Sequence, residues 1–159
     1  MNAEGLVVAQ LDAASPDAVD LMQALDDDLR ARYPGIVVNG LRPDDAGRAR
    51  FVFVVARIDG QPVGCGAVHE LDPLVGEIKR MFVRREHRGR GIARRVLSAL
   101  EAQAAGLGYT TLRLETGDRQ PEAIGLYESA GYRAIPPFGE YAGNPYSHCF
   151  EKRLFQRGR

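Results

Sequence analysis

The chain has 159 residues, with 21 Lys and Arg against 21 Asp and Glu, 45% hydrophobic residues and two cysteines. That size suits a single domain over residues 1–159 with one ordinary core, and argues against a disordered chain. Zero net charge removes any global electrostatic argument for nucleic acid or membrane binding. No Cys/His group has zinc-site spacing, so no metal is expected.

Leu6 to Leu11 reads as a short strand. Ser15-Pro16 then offers an N-cap and a proline at the first helical position, and Ala18, Leu21, Met22, Leu25 and Leu29 recur at helical spacing up to Arg32. Tyr33-Pro34-Gly35 ends that helix, and residues 36–50 read as a loop. Phe51 to Ile58 and Val63 to Leu71 are β-prone runs around Asp59-Gly60-Gln61-Pro62, which is a hairpin signal. Asp72-Pro73 breaks the second run, and Val75 to Val83 is a further strand. An amphipathic helix spans Ile92 to Leu107, followed by a strand at Thr110 to Thr116. Strand, helix and strand in that order predict a crossover and a parallel pair. Pro121 to Ala130 reads as a short helix stopped by Gly131. Tyr132 to Ile135 and Tyr146 to Leu154 are two last strands, separated by a loop with Pro136-Pro137. The predicted class is α/β, with a mixed sheet and helices on its faces. Met1 to Leu11 carries no leader pattern and no apolar run reaches membrane-spanning length, so a cytoplasmic protein is expected, with Cys65 and Cys149 as free buried thiols.

The chemistry concentrates between the fourth strand and the second helix, at Arg88-Gly89-Arg90-Gly91-Ile92-Ala93. A helix start leaves its first N–H groups unpaired, and the helix dipole favours negative charge there. Glycines let a bulky anion approach the backbone, and Arg88, Arg90 and Arg94 add positive charge. The local prediction is a phosphate or pyrophosphate cradle. The stretch lacks both the P-loop ending and the dinucleotide spacing, and a bare glycine turn can also be only a tight connection.

Two further features coincide with it. A strand bearing Glu77 runs into the turn, and Gln120-Pro121-Glu122-Ala123-Ile124-Gly125-Leu126-Tyr127-Glu128-Ser129-Ala130-Gly131-Tyr132 lies downstream. With Arg88, Gly91 and Ala93 in the form Arg-x-x-Gly-x-Ala, the chain resembles the GNAT superfamily of acyl-CoA-dependent N-acetyltransferases. The resemblance covers about residues 51–153. It implies a mostly antiparallel central sheet with one parallel crossover and helices on both faces. It implies acetyl-CoA as co-substrate and direct transfer to an amine in a ternary complex. Arg88, Gly89, Arg90, Gly91, Ile92, Ala93 and Arg94 would hold the diphosphate, chiefly through backbone amides. The backbone of the Met81-Phe82-Val83 segment would pair with the pantetheine arm like an added strand, beside a bulge that opens the slot. Tyr127 sits where the family places a general acid for the departing thiolate, and Glu77 where several members place a general base. Gln120 stands where the family often has an asparagine that contacts the pantetheine arm.

Weaker candidates surround the acceptor. Arg80 either pairs with a substrate carboxylate or bridges to the helix carrying Asp26. Tyr141 and His148 either contact the acceptor or only pack. Glu77 itself has a plain alternative as a solvated strand carboxylate. The Lys79–Arg95 cluster lacks interleaved aromatics apart from Phe82, which disfavours nucleic acid. The expected acceptor is a small-molecule amine, with a protein amine or a non-catalytic acyl-CoA sensor as rival readings and a homodimer as the family-based guess.

Overall fold

A computed structural model describes residues 5–35 and 50–154; the predicted loop at 36–50 falls almost wholly outside them. Ten elements follow in chain order: β1 (Leu6–Gln10), α1 (Pro16–Arg32), β2 (Val52–Ile58), β3 (Gln61–Asp72), β4 (Val75–Val83), α2 (Ile92–Gly106), β5 (Thr111–Gly117), α3 (Pro121–Ser129), β6 (Arg133–Ile135) and β7 (Ser147–Arg153). Short 3-10 turns occupy Arg85–His87 and Gly139–Tyr141. The strands form one seven-stranded sheet in the order β1-β2-β3-β4-β5-β7-β6. Every adjacent pair is antiparallel except β4–β5, which α2 joins as the predicted crossover.

Strand alternation divides two cores. On β2, Val52, Val54 and Ala56 pack with Val96, Leu97 and Leu100 of α2 on one face. Phe53 and Val55 pack with Leu21 and Leu25 of α1 on the other. Fully burying a leucine of this kind is worth about 1.5–3 kcal/mol, so these contacts set which face each helix covers. The β2–β3 hairpin turns on Asp59 and Gly60 alone, both at positive φ (50° and 81°), the geometry that matches strand twist in two-residue loops. Gln61 and Pro62 therefore already belong to β3, although their composition reads as turn. Asp72 makes the next turn, its Oδ1 accepting hydrogen bonds from the amides of Leu74 and Val75 at 2.9 and 3.0 Å.

Ser15 occupies the N-cap position of α1 but makes no side-chain cap. Its Oγ is buried with no partner among the described residues, and its carbonyl alone serves the helix, accepting the Val19 amide at 3.0 Å.

Two irregularities matter for function. The β4–β5 ladder covers only Val75–Glu77 against Thr111–Arg113, after which the two strands part. On its other edge β4 carries an extra residue: Cys65 faces Phe82 but Ala67 faces Lys79. Arg80 sits in this bulge at φ 61°, and the bulge bends β4 where it leaves β5.

Candidate active site

The parting of β4 and β5 opens a cleft of about 770 Å³, bounded by β4, the start of α2, the end of β5, α3 and the C-terminal half of α1. At one end lies the glycine turn. Gly89 and Gly91 have φ of 77° and 79°, and a Cβ on either would meet no atom within 4 Å. The glycines are needed for the backbone conformation, and the space beside them is open. The first bond of α2 runs from the Arg95 amide to the Gly91 carbonyl at 3.2 Å, and among the described residues no side chain caps the helix. The amides of Ile92, Ala93 and Arg94 are thus left pointing out of the helix start. Gly89, Gly91, Ile92, Ala93 and Arg94 all line the cleft.

The arginines of the turn are held by protein groups. Arg88 Nε donates to the Val83 carbonyl at 2.9 Å, and its guanidinium lies 3.5 Å from Asp28. Arg90 donates to His87 Nδ1 at 3.1 Å, and Arg94 to Ser129 Oγ at 2.5 Å. The acidic run on α1 reaches the basic segment: Asp26 binds Arg80, while Asp28 serves Arg85 and Arg88 together with Arg32 of its own helix.

Along the wall, the Arg84 amide is bonded to the Val63 carbonyl of β3 at 2.8 Å. Strand alternation turns the backbone groups of Val83 the opposite way, toward the cleft, and the Arg88 contact to its carbonyl agrees. Met81, Phe82 and Val83 line this wall, with Gln120, Ala123 and Leu126 opposite. Gln120 holds the N-cap position of α3, its carbonyl accepting the Ala123 and Ile124 amides at 3.1 and 3.2 Å.

Tyr127 reaches the cleft from α3. Its ring is wedged edge-on to Tyr132 at 5.8 Å and tilted against Phe150 at 6.3 Å. Among the described residues its hydroxyl has no hydrogen-bond partner. Burial pushes its pKa above the ordinary phenol range, so the group stays protonated and available as a donor.

At the far end side chains dominate. Glu77 is only 4% exposed, which excludes the solvated reading. Its Oε1 lies 2.8 Å from His69 Nε2, and its Oε2 accepts the Tyr141 hydroxyl at 2.7 Å. Tyr141 lines the cleft; Glu77 stands behind it and does not. Burial, and then the negative charge of Glu77, pushes the Tyr141 pKa up as well.

The remaining candidates separate. Arg80 is buried and turned to α1, 2.7 Å from Asp26 and donating to the Met22 carbonyl at 2.9 Å. The bridge to the helix is formed, and Arg80 also lines the cleft. His148 lies exposed on β7, outside the cleft lining. Both cysteines are free and buried, and burial raises the Cys65 thiol to about 12. Sequence reasoning missed His69 and Glu115. His69 was within reach, because the Asp72 turn sets the β3–β4 register that pairs it with Glu77. Glu115 carries no local signal; only the separation of β4 from β5 exposes it to the cleft. Among the described residues no group of three or more His, Cys, Asp and Glu could hold a metal, and no helix is long and apolar enough to cross a membrane.

Comparison with known proteins identifies the family. The family model described as the Acetyltransferase (GNAT) family matches residues 18–132. An IAA acetyltransferase of Azospirillum brasilense is 39% identical over 137 residues, covering 86% of this chain and 90% of that protein. The crystal structure of an acyl-CoA N-acyltransferase from Klebsiella pneumoniae superposes with a TM-score of 0.82 at 32% identity, covering 97% of this chain and all of the other. A GNAT acetyltransferase from Elizabethkingia anophelis with acetyl-CoA bound shares the fold, with a TM-score of 0.68 at 17% identity over 95% of this chain and 99% of its own.

Proposed function

The chain belongs to the GNAT acetyltransferase family and is an acyl-CoA-dependent N-acetyltransferase, and from that premise we propose that it moves acetyl from acetyl-CoA to the primary amine of a small molecule, by direct attack in a ternary complex. One arrangement carries this reading: backbone amides at residues 92–94 and a Tyr127 hydroxyl, all without partners among the described residues, open onto the same cleft. The name of the Azospirillum relative supports a small acceptor. The reading takes residues 1–159 as a single catalytic domain working in the cytoplasm, where the buried thiols of Cys65 and Cys149 stay reduced.

In this mechanism the diphosphate rests on the amides from Arg88 to Arg94, and the pantetheine arm runs along Met81, Phe82 and Val83 toward Tyr127, with Gln120 on the opposite wall. The acceptor arrives mostly protonated at neutral pH. Glu77 is the base, and its covered position means that a proton reaches it through the Tyr141 hydroxyl. The nitrogen lone pair then attacks the thioester carbon, and a C–N bond forms as the carbonyl becomes an oxyanion. Backbone N–H groups beside the β4 bulge stabilise that charge. Collapse breaks the C–S bond. Tyr127, held protonated by burial, meets the leaving sulfur as a hydrogen-bond donor, passes it a proton and regains one from the newly acylated nitrogen. The nitrogen sheds two protons overall, one ending on the coenzyme thiol and one leaving through Glu77.

The test is thiol release from acetyl-CoA against a panel of small primary amines, with initial rates measured over both substrates. Intersecting double-reciprocal lines are expected. Acetylation confined to proteins of a cell lysate would overturn the small-molecule acceptor, and coenzyme binding without any turnover would leave a sensor.

A further inference from the structure

We infer that Glu115 receives the acceptor's nitrogen as an ammonium ion and holds it against the Tyr141 hydroxyl, an inference that rests on the acetyl-transfer reading above. The carboxylates lining the cleft are Asp28, Glu115, Glu122 and Glu140. Asp28 is engaged by Arg32, Arg85 and Arg88, and Glu122 by Arg32. Among the described residues Glu115 and Glu140 have no ion pair, and Glu140 is exposed on a surface turn. Glu115 is half-buried, and among the described residues its side chain's one hydrogen bond comes from Ser147 Oγ to Oε2 at 2.6 Å. A carboxylate taken out of water without a counter-ion is costly. A cationic ligand would relieve that cost; among the described residues no cation pairs with Glu115, and the charge of Lys79 offsets its burial only weakly.

Position supports the same role. The last β4–β5 pair is Glu77 with Arg113. Two residues further along β5, Glu115 lies on the same face as Glu77, where the strands have begun to part. Among the described residues the charged, titratable and hydrogen-bonding groups around it are Glu77 and Lys79 from β4, Glu140 and Tyr141 from the 3-10 turn, and Ser147 and Cys149 from β7. Burial raises the Glu115 pKa; the Ser147 bond opposes that, the charges of Glu77 and Glu140 add to it, and Lys79 opposes it. Because the Tyr141 hydroxyl proton points at Glu77 Oε2, its oxygen lone pairs are left to accept. An ammonium between the two residues donates one N–H to Glu115 Oε1 and another to Tyr141. As the second proton moves to the Tyr141 oxygen, the phenol's own proton moves to Glu77, and the neutral amine stays beside Glu115. Glu115 therefore binds and orients, while the proton leaves on Glu77.

Tyramine and its uncharged analogue 4-ethylphenol test this by calorimetry on coenzyme A-loaded protein, without any need for turnover. Wild type is expected to bind tyramine at least about tenfold more tightly than 4-ethylphenol, the scale of one charge-assisted hydrogen bond. Glu115→Gln should erase that gap and Glu115→Asp restore part of it, each with coenzyme A affinity unchanged as proof of folding. In turnover with tyramine, Glu115→Gln should raise KM about tenfold or more and move kcat less than about threefold. A gap that survives in Glu115→Gln, or is absent in wild type, overturns the assignment. Failure of thiol release with every amine, by contrast, strikes the acetyl-transfer reading while the calorimetric result still stands.

Discussion

The two ends of the cleft are built from different parts of the chain. The end proposed to hold the donor is made of main chain: positive-φ glycines, the open start of α2 and the outward groups of Val83. The end proposed to hold the acceptor is made of side chains from β3, β4, β5, β7 and a 3-10 turn, joined by hydrogen bonds of 2.6–2.8 Å. A main-chain site suits a donor that never varies, because its geometry depends on few side-chain identities. A side-chain site can be retuned one residue at a time without disturbing the fold. Substitutions should therefore act by conformation at the donor end and by chemistry at the acceptor end.

The largest expected effect is at Gly91. Gly91→Val should weaken coenzyme A binding beyond about a hundredfold by calorimetry, since a branched side chain would enter the cradle. The left-handed conformation costs a non-glycine residue only about 1–2 kcal/mol, too little to unfold a domain of ordinary stability. A folded variant with normal affinity would contradict a backbone-built donor end. Next comes Glu77→Gln, expected to lower kcat about a hundredfold with coenzyme A affinity intact. Its deficit should deepen at low pH, where more of the amine is protonated. An unaltered pH–rate profile would assign the base elsewhere. Tyr127→Phe should cost about tenfold in kcat, the worth of one hydrogen bond to developing charge, and leave acetyl-CoA binding within about threefold. Arg94→Ala sharpens the contrast from the other side. Removing this side chain while keeping its amide should shift coenzyme affinity by no more than about threefold; a much larger loss would mean that the cradle depends on side chains after all.

The smallest effect concerns stability. Because the folded-state pKa of Glu115 is raised, its contribution is fully present below the unfolded carboxylate pKa and is lost as pH rises through the folded value. Glu115→Gln does not suffer that loss. It should therefore melt higher than wild type at neutral pH, with the difference vanishing in acid. Equal Tm shifts at both pH values would show that the carboxylate carries no burial penalty.

The same contrast explains what could be read from residue order. Gly89 and Gly91 between an apolar strand and an amphipathic helix announce the donor end locally, because backbone conformation is written in short stretches. The strands and helices were legible for the same reason, through alternation on β2 and 3.6-residue spacing on α1. At the acceptor end Glu77 was visible only through its distance from the glycine turn. Its burial was not, since that depends on His69 across a hairpin and on Tyr141, 64 residues away. Arg80 was ambiguous because its partner Asp26 lies on a helix whose packing face had to be known first. Glu115 is an ordinary strand glutamate until a neighbouring strand withdraws.

The extra residue at Arg80 has one more effect. Before it, the even-numbered Ile78 enters the core beneath α2; after it, the odd-numbered Met81 and Val83 do so, and Phe82 turns to the α1 side. The strand thus changes its reading frame midway, keeping acidic chemistry and donor-slot packing on their proper sides of one continuous ladder. Deleting a single residue there would be a frameshift written in side chains, exchanging the two faces of the wall from Met81 onward.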